Sequence, residues 1–560
     1  MAKKSETTLA PETKKVTAKA TEEKATVKKS SEKKVTAKAT TSKTTAKKVT
    51  TKKTTSSSTT KATTKKSTVA KKTATKTTAK LPKITVSEKK KVVFLGSEAA
   101  PFIATGGLAD VLGSLPKALA KNGNLDVSVI LPMYSKIKPE FKEKFKFLTS
   151  FNVSVSWRSQ YCGVFYCEYE GVKFYFLDNE YYFKREGNIY GFYDDGERFA
   201  FFSRAALDTI ARLDIYPDIL HCNDWQTAAS IVYLKGMYYN DAKFAKIKSI
   251  FTIHNIEYQG IFNMYCYGDI FGFPQAIEQF VEFDGNVNLM KAAIEMTDIV
   301  STVSPTYAEE IKDSFFAHGL ENIIRKNSHK LYGILNGIDV DYYNPETDKF
   351  LFKNYSANDL SGKAECKAGL QKLLGLPVRA DVPVLAVISR LVSHKGLDLL
   401  RATIETLLSQ DIQIVILGTG ETSYENYFTH VANCFKGKCV TIIEFNQDLS
   451  RKIYSGADIF LMPSKMEPCG LSQMIASRYG TVPVVRETGG LNDSIKAYTG
   501  VKGNGFTFHD YNAHDMLYVI NEAIRTFKNE DAWKDVQNRA ITTDFSWKVQ
   551  AGEYEKIYNI

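Results

Sequence analysis

The sequence predicts an α/β protein of two doubly wound, Rossmann-like domains facing a central cleft, preceded by a disordered basic tail. Three observations predict it. The chain has 560 residues, 44% of them apolar, which is too much for one core and suits two or three domains. From Lys91 onward short apolar runs alternate with amphipathic stretches, the pattern of parallel strands joined by helices. The first 88 residues hold no aromatic side chain and consist mainly of Lys, Thr, Ala and Ser, a composition that cannot bury a core.

In chain order, the first domain (residues 89–337) reads KVVFLG, LDVSVILP, VKFYFLD, DILHCND, KSIFTIHN and DIVSTVS as strands. Helices fit between them over Gly107–Lys121 and Arg198–Arg212. A hinge is expected after Asn336-Gly337, and 339–381 is a polar, interrupted connector with at least one helix. The second domain (338–540) reads VLAVIS, IQIVILGTG, CVTIIEF, DIFLMPS and VPVVR as buried strands, with Gly418-Thr419-Gly420 punctuating one strand end. Doubly wound sheets bind ligands at the C-terminal ends of their strands, so two facing domains form one deep cleft that excludes water.

Charge is unevenly placed. The chain carries +12, yet residues 1–80 hold 23 Lys and 5 Glu, a net of +18 that leaves −6 for the remainder. The octapeptide KKVTAKAT occurs at Lys14–Thr21 and again at Lys33–Thr40. Such a repeat suits a polyanion partner; a solvating tail without one partner fits equally, and a plastid transit peptide is a third reading that the lack of Arg opposes. No run of eighteen apolar residues and no apolar segment near Met1 occur, so neither a membrane span nor secretion is expected. Eight scattered cysteines without a C-x-x-C pair point to a reducing, cytoplasmic setting and no zinc site. Acidic residues are scattered without paired carboxylates, so no metal is expected.

Three segments carry chemistry. SKMEPCGL places Glu467, Pro468, Cys469, Gly470 and Leu471 on a turn that opens a helix. Free N–H groups at such a turn attract anions, while a carboxylate there grips sugar hydroxyls. ISRLVSHKGLD sets Arg390 and Lys395 where a strand ends, a place for cations that stabilise a departing diphosphate. Thr105, Gly106 and Gly107 stand at the head of an amphipathic helix that includes Asp110, the geometry of a phosphate cradle. Together they indicate a two-domain nucleotide-binding protein, and the carboxylate on the anion-binding turn suggests a ligand that also carries a sugar.

With HCNDWQT, FTIHNIEYQG, TVSPTYAEEI, LNGID, RETGGLNDS and DFSW, these segments occur in the order found in glycogen and starch synthases. From about Lys91 to the C-terminus the chain resembles that family of retaining glucosyltransferases. The resemblance implies the GT-B arrangement of two lobes, with residues 541–560 as a helix crossing back to the first. It implies transfer of glucose from ADP-glucose to the non-reducing end of an α-1,4-glucan such as glycogen, with retention of configuration and no cofactor. Arg390 and Lys395 then hold the donor diphosphate. Glu467 binds glucose hydroxyls and stabilises positive charge at the anomeric carbon. His254 contacts the transferred glucose, Asp224 faces the cleft or caps a helix, and Asn336 contacts sugar or shapes the hinge.

Phe445 lies where the family stacks an aromatic on the donor base, Cys469 forms a small cleft wall, and Thr488, Gly489 and Gly490 form a loop expected over the donor. Ile475, eight residues after Glu467, stands where sucrose- and trehalose-type relatives carry a second Glu. One position departs from the pattern: many members carry Lys just before Thr-Gly-Gly, and here Ala104 stands there. That leaves open a UDP-glucose-dependent synthase and a non-catalytic glucan- or polyanion-binding homologue.

Overall fold

The computed structural model describes residues 89–560; the expectations for the tail lie outside the described residues. Two sheets organise the chain. The first has nine strands. Seven run parallel, in the spatial order Leu331–Gly333, Ile299–Thr302, Lys248–Ile253, Ile219–Asn223, Lys90–Leu95, Leu125–Pro132 and Val172–Asp178. An antiparallel hairpin, Arg158–Tyr169 and Lys146–Val155, extends the last edge. The hairpin is an addition to the predicted strands. Its outer strand alternates exposed and buried side chains, as expected of a half-covered antiparallel edge rather than a buried parallel strand.

The second sheet has six parallel strands in the order Cys439–Ile442, Gln413–Leu417, Val384–Ile388, Ile459–Met462, Val482–Arg486 and Phe506–Phe508. Numbered along the chain this is 3-2-1-4-5-6, the doubly wound order. Its four central strands are almost wholly buried, which explains their unbroken apolar runs. Both sheets reverse their winding beside a first strand: Lys90–Leu95 against Ile219–Asn223 in one, Val384–Ile388 against Ile459–Met462 in the other. Chains leaving these pairs diverge and open a crevice at the strand ends.

The connector contains the helix Ser361–Leu373. The chain closes with the helix Trp547–Ile557, which returns to the first sheet. Asn122 Nδ2 donates to Glu555 at 2.8 Å, and Tyr558 OH lies 2.9 Å from His221 Nδ1. The segment after Asn336 is pinned to this helix: Ile338 N–H donates to the Phe545 carbonyl at 2.8 Å, and a side chain at Gly337 would meet the Trp547 backbone nitrogen at 2.8 Å. The lobes also touch directly. Ser304 Oγ donates to the Pro468 carbonyl at 2.7 Å, and Thr306 donates through N–H and hydroxyl to Asp493 at 2.8 and 2.7 Å. Among the described residues no helix is long and apolar enough to cross a membrane.

Candidate active site

The cleft between the sheets encloses about 900 Å³ and is lined from both lobes. On the second lobe's side, segment 389–396 leaves the strand Val384–Ile388 at the reversal point. Its path is set by close backbone packing. Leu391 N–H donates to the Thr419 carbonyl at 2.9 Å, and Glu421 N–H donates to the Leu391 carbonyl at 2.8 Å. A side chain at Gly418 would collide with the Ser389 carbonyl; one at Gly396, held at φ 72°, would collide with that of Pro463. These glycines let the segment run against its neighbours and aim two cations into the cleft. Arg390 is exposed there. Lys395 Nζ donates to Glu467 Oε2 at 2.7 Å.

Glu467 is 7% exposed. Ser464 Oγ donates to the same Oε2 at 2.9 Å, so a buried carboxylate is both paired and hydrogen-bonded, as such a group requires. The turn beyond it bends at Gly470, φ 69°, and Cys469 lies buried beneath it. Burial pushes the Cys469 thiol up to about 12, which leaves it inert as a nucleophile.

The segment Thr488-Gly489-Gly490, expected over a donor, is not among the described residues that line the cleft. It packs behind the Glu467 turn. Gly490 N–H donates to the Glu467 carbonyl at 3.2 Å, and side chains at 489 or 490 would collide with the backbone of Glu467 or Cys469. Thr488 is buried and donates to Glu310 Oε1 at 2.8 Å; Gly489 N–H donates to the same oxygen at 3.0 Å. These residues are a mould for the Glu467 turn.

On the first lobe's side, Thr105, Gly106 and Gly107 line the cleft at the start of the helix Gly107–Asn122. They are held from below by Glu98, 3% exposed, whose Oε2 accepts the Thr105 N–H at 2.5 Å and hydroxyl at 2.8 Å. The sequence reading missed Glu98, although KVVFLGSEA places it just past a strand end. Burial, with repulsion from Asp110, pushes its carboxyl up to about 7, against the Thr105 bonds. Asp110 is raised to about 6 by burial and by Asp339. Leu471 meets this wall, because a Cβ on Gly107 would lie 3.7 Å from its methyl group. Ala104 lines the same wall, and among the described residues the first lobe contributes no Lys or Arg to the cleft lining.

Asp224 opens the helix Trp225–Gly236 but caps nothing with its side chain, which removes the N-cap reading. It is held at φ 55° and ψ 177°, a backbone region that costs a non-glycine residue on the order of 1–3 kcal/mol and marks functional sites. Its Oδ1 accepts the His254 N–H at 2.8 Å. Burial raises its carboxyl to about 7, helped by Glu98 and opposed by the N–H groups of His254 and Asn255.

His254 is held at about 3 by burial, so the ring is neutral. Its Nε2 lies 2.9 Å from Asn223 Oδ1, while Asn223 Nδ2 donates to the Leu95 carbonyl at 3.0 Å. The carboxamide oxygen only accepts, so Nε2 carries the proton and Nδ1 is an acceptor. Asn336, 4% exposed, lines the cleft with an Oδ1 that has no protein partner. A buried lone acceptor costs about 1–3 kcal/mol unless a donor reaches it, which fits a sugar hydroxyl. Phe445 is 76% exposed at the cleft, offering an uncovered ring face. Among the described residues no group of three His, Cys, Asp or Glu is placed to hold a metal.

Residues 91–326 match the family model for the starch synthase catalytic domain, and residues 376–538 match that for glycosyl transferases group 1. The chain is 48% identical over 472 residues to a glycogen synthase of Alkaliphilus metalliredigens, covering 84% of this chain and 99% of that one. It is 49% identical over 474 residues to a glycogen synthase of Clostridium acetobutylicum, with 84% and 99% covered. The structure superposes on the catalytic domain of Arabidopsis thaliana starch synthase IV bound to ADP and acarbose, with a TM-score of 0.78, 35% identity, and 84% of this chain and 99% of that one covered. A sucrose-phosphate synthase from Thermosynechococcus elongatus, 14% identical with a TM-score of 0.54 and with 84% of this chain and 98% of that one covered, shares the fold.

Proposed function

The chain belongs to the glycogen and starch synthase family of glucosyltransferases, and from that premise we propose that it lengthens an α-1,4-glucan with glucose from ADP-glucose, retaining configuration. The observation that carries the reading is the Lys395–Glu467 pair, 2.7 Å apart at the reversal point of the second sheet, with Arg390 beside it in the same cleft. A diphosphate laid across Arg390 and Lys395 puts its glucose against Glu467. As the sugar–oxygen bond breaks, negative charge grows on the phosphate beside the two cations. Positive charge grows at the anomeric carbon beside the carboxylate.

His254 Nδ1 and Asn336 Oδ1 accept hydrogen bonds from glucose hydroxyls, and the ring of Phe445 stacks on the base. The acceptor hydroxyl enters on the face the nucleotide leaves, and the leaving phosphate takes its proton. Thr105 to Gly107, Asp110 and Asp224 face the acceptor side, held in place by Glu98. Arg390 and Lys395 stand where the diphosphate would lie, so turnover is expected to persist in EDTA.

The test is release of nucleotide and incorporation of labelled glucose into glycogen, with ADP-glucose and UDP-glucose compared. ADP-glucose is expected to be preferred; a preference for UDP-glucose would correct the donor, and no transfer from either would overturn the enzyme reading. The residues before 91 fall outside the family model, and their Lys repeats support contact with a polyanion or granule surface. A chain starting at Lys91 is then expected to keep synthase activity and to lose salt-sensitive retention on a polyanion. A cytoplasmic setting fits this reading, with a plastid as the alternative if the residues before 91 are a transit peptide.

A further inference from the structure

The donor cleft is poor in cations for a ligand that carries a diphosphate. Among the described residues that line it, only Arg390 and Lys395 are Lys or Arg. Lys395 is already engaged by Glu467 at 2.7 Å. Against them the lining presents Asp195, Glu257, Glu444 and Glu467, with Glu98, Asp110 and Asp224 pushed toward neutrality by burial. A group beside the two cations can make up the deficit, and it is His394.

His394 belongs to the turn Ser393–Lys395, half-buried, and lines the cleft. The turn is fixed on both flanks. Lys465 N–H donates to the His394 carbonyl at 2.9 Å, and Ser393 N–H donates to Glu421 Oε1 at 3.1 Å. Charged groups from several elements act on the ring: Lys395 on its own turn, Arg390 at the strand end, Glu467 on the SKMEPCGL turn, and Glu257 from the first lobe. No protein group hydrogen-bonds its ring nitrogens among the described residues, whereas His221 and His254 both have such partners.

We propose that His394 takes up a proton when the donor binds and serves as a third cation for its diphosphate. The inference rests on the donor reading given above. In the empty cleft burial and the neighbouring Lys395 and Arg390 hold the ring below its ordinary value, with Glu257 and Glu467 opposing, so it is mainly neutral near pH 7. A bound diphosphate reverses that balance, because a nearby anion favours the protonated ring. Donor binding then draws one proton from solution, and donor affinity weakens as pH rises. Each phosphorus of a sugar nucleotide bears one strongly acidic hydroxyl, so the donor itself does not titrate near neutrality.

The experiment measures donor and glucan KM for the full-length enzyme between about pH 6 and pH 8.5, with His394→Gln and His394→Lys alongside. In the parent enzyme donor KM is expected to rise with pH. His394→Gln is expected to raise donor KM on the order of tenfold at the acid end, the scale of one charge-assisted bond, and to converge with the parent at the alkaline end. His394→Lys keeps a cation throughout and is expected to flatten the profile at low KM. Glucan KM is expected to stay put in both. Glu98, Asp110 and Asp224 also titrate in this range, so the inference concerns the difference between parent and variants. Parallel donor-KM profiles in parent and His394→Gln would overturn it. Transfer by the parent at any pH tests the donor reading separately.

Discussion

On the second lobe's wall of the cleft the side chains meet as charges: an exposed guanidinium, and an ammonium paired to a buried carboxylate at 2.7 Å. On the first lobe's wall burial has worked the other way. Glu98 and Asp224 are raised to about 7 and Asp110 to about 6, and His254 is held neutral at about 3. One wall is built from ions and the other from groups driven toward their neutral forms. A polyanion that becomes more charged as its bond breaks calls for the first kind. A chain of hydroxyls calls for the second, since neutral donors and acceptors exchange for water at little desolvation cost. On the proposed reading, the polarity of the cleft sets the diphosphate of the donor against the second lobe and the glucan against the first.

The sharpest way to break this contrast is to remove the ions. Lys395→Ala takes away a cation placed where charge develops, and is expected to lower kcat by a factor of about 10²–10⁴. Glu467→Gln keeps the shape and the Ser464 bond but not the charge, and is expected to cost a similar factor. Both are read as initial rates of glucose incorporation at saturating donor and glucan. Retention of near-parent kcat in either variant would mean that the ionic wall is structural.

Much of this site was legible in the sequence, and the reasons for the failures are physical. Arg390, Lys395 and Glu467 were placed together because buried parallel strands read as apolar runs, and doubly wound sheets open at the ends of such runs. Thr488-Gly489-Gly490 is ambiguous in sequence because a glycine that admits a ligand and one that admits another backbone look alike there. Only the contacts at Glu467 and Cys469 tell them apart. The hairpin 146–169 escaped because its outer strand is half exposed and lacks an apolar run. Glu98 escaped because its burial depends on how the following loop folds back to set Thr105 against it, a turn geometry that no strand or helix periodicity carries.

The neutral wall has a signature in stability rather than rate. Glu98 goes from 4.5 to about 7 on folding, so the folded state holds the proton more tightly than the unfolded one. Its favourable contribution is complete below about pH 4.5 and is lost as pH rises through about 7. At about 1.4 kcal/mol per pKa unit, the loss is roughly 3 kcal/mol. Glu98→Gln keeps an oxygen to accept the Thr105 bonds and cannot ionise. Its thermal midpoint is expected to fall less between about pH 5 and pH 8 than that of the parent, which still carries Asp224 in either case. Equal slopes would show that Glu98 is not held toward neutrality.

The gentlest test adds an ion to the wall that lacks one. Ala104 is exposed, lines the cleft and directly precedes the Thr105–Gly107 segment, so Ala104→Lys introduces an ammonium without burying it or disturbing the helix. An exposed charge contributes on the order of 1 kcal/mol or less, which corresponds to a donor KM lowered several-fold with kcat little changed. The gain is expected to shrink at high ionic strength, because the new charge is open to screening. The sign is informative in either direction. A lower donor KM means that the first lobe's wall reaches the diphosphate and has been left without a cation there, so the same substitution in a His394→Gln background recovers proportionally more. A donor KM that does not move, with a raised glucan KM, would instead put position 104 on the acceptor's path and extend the neutral wall to the mouth of the cleft.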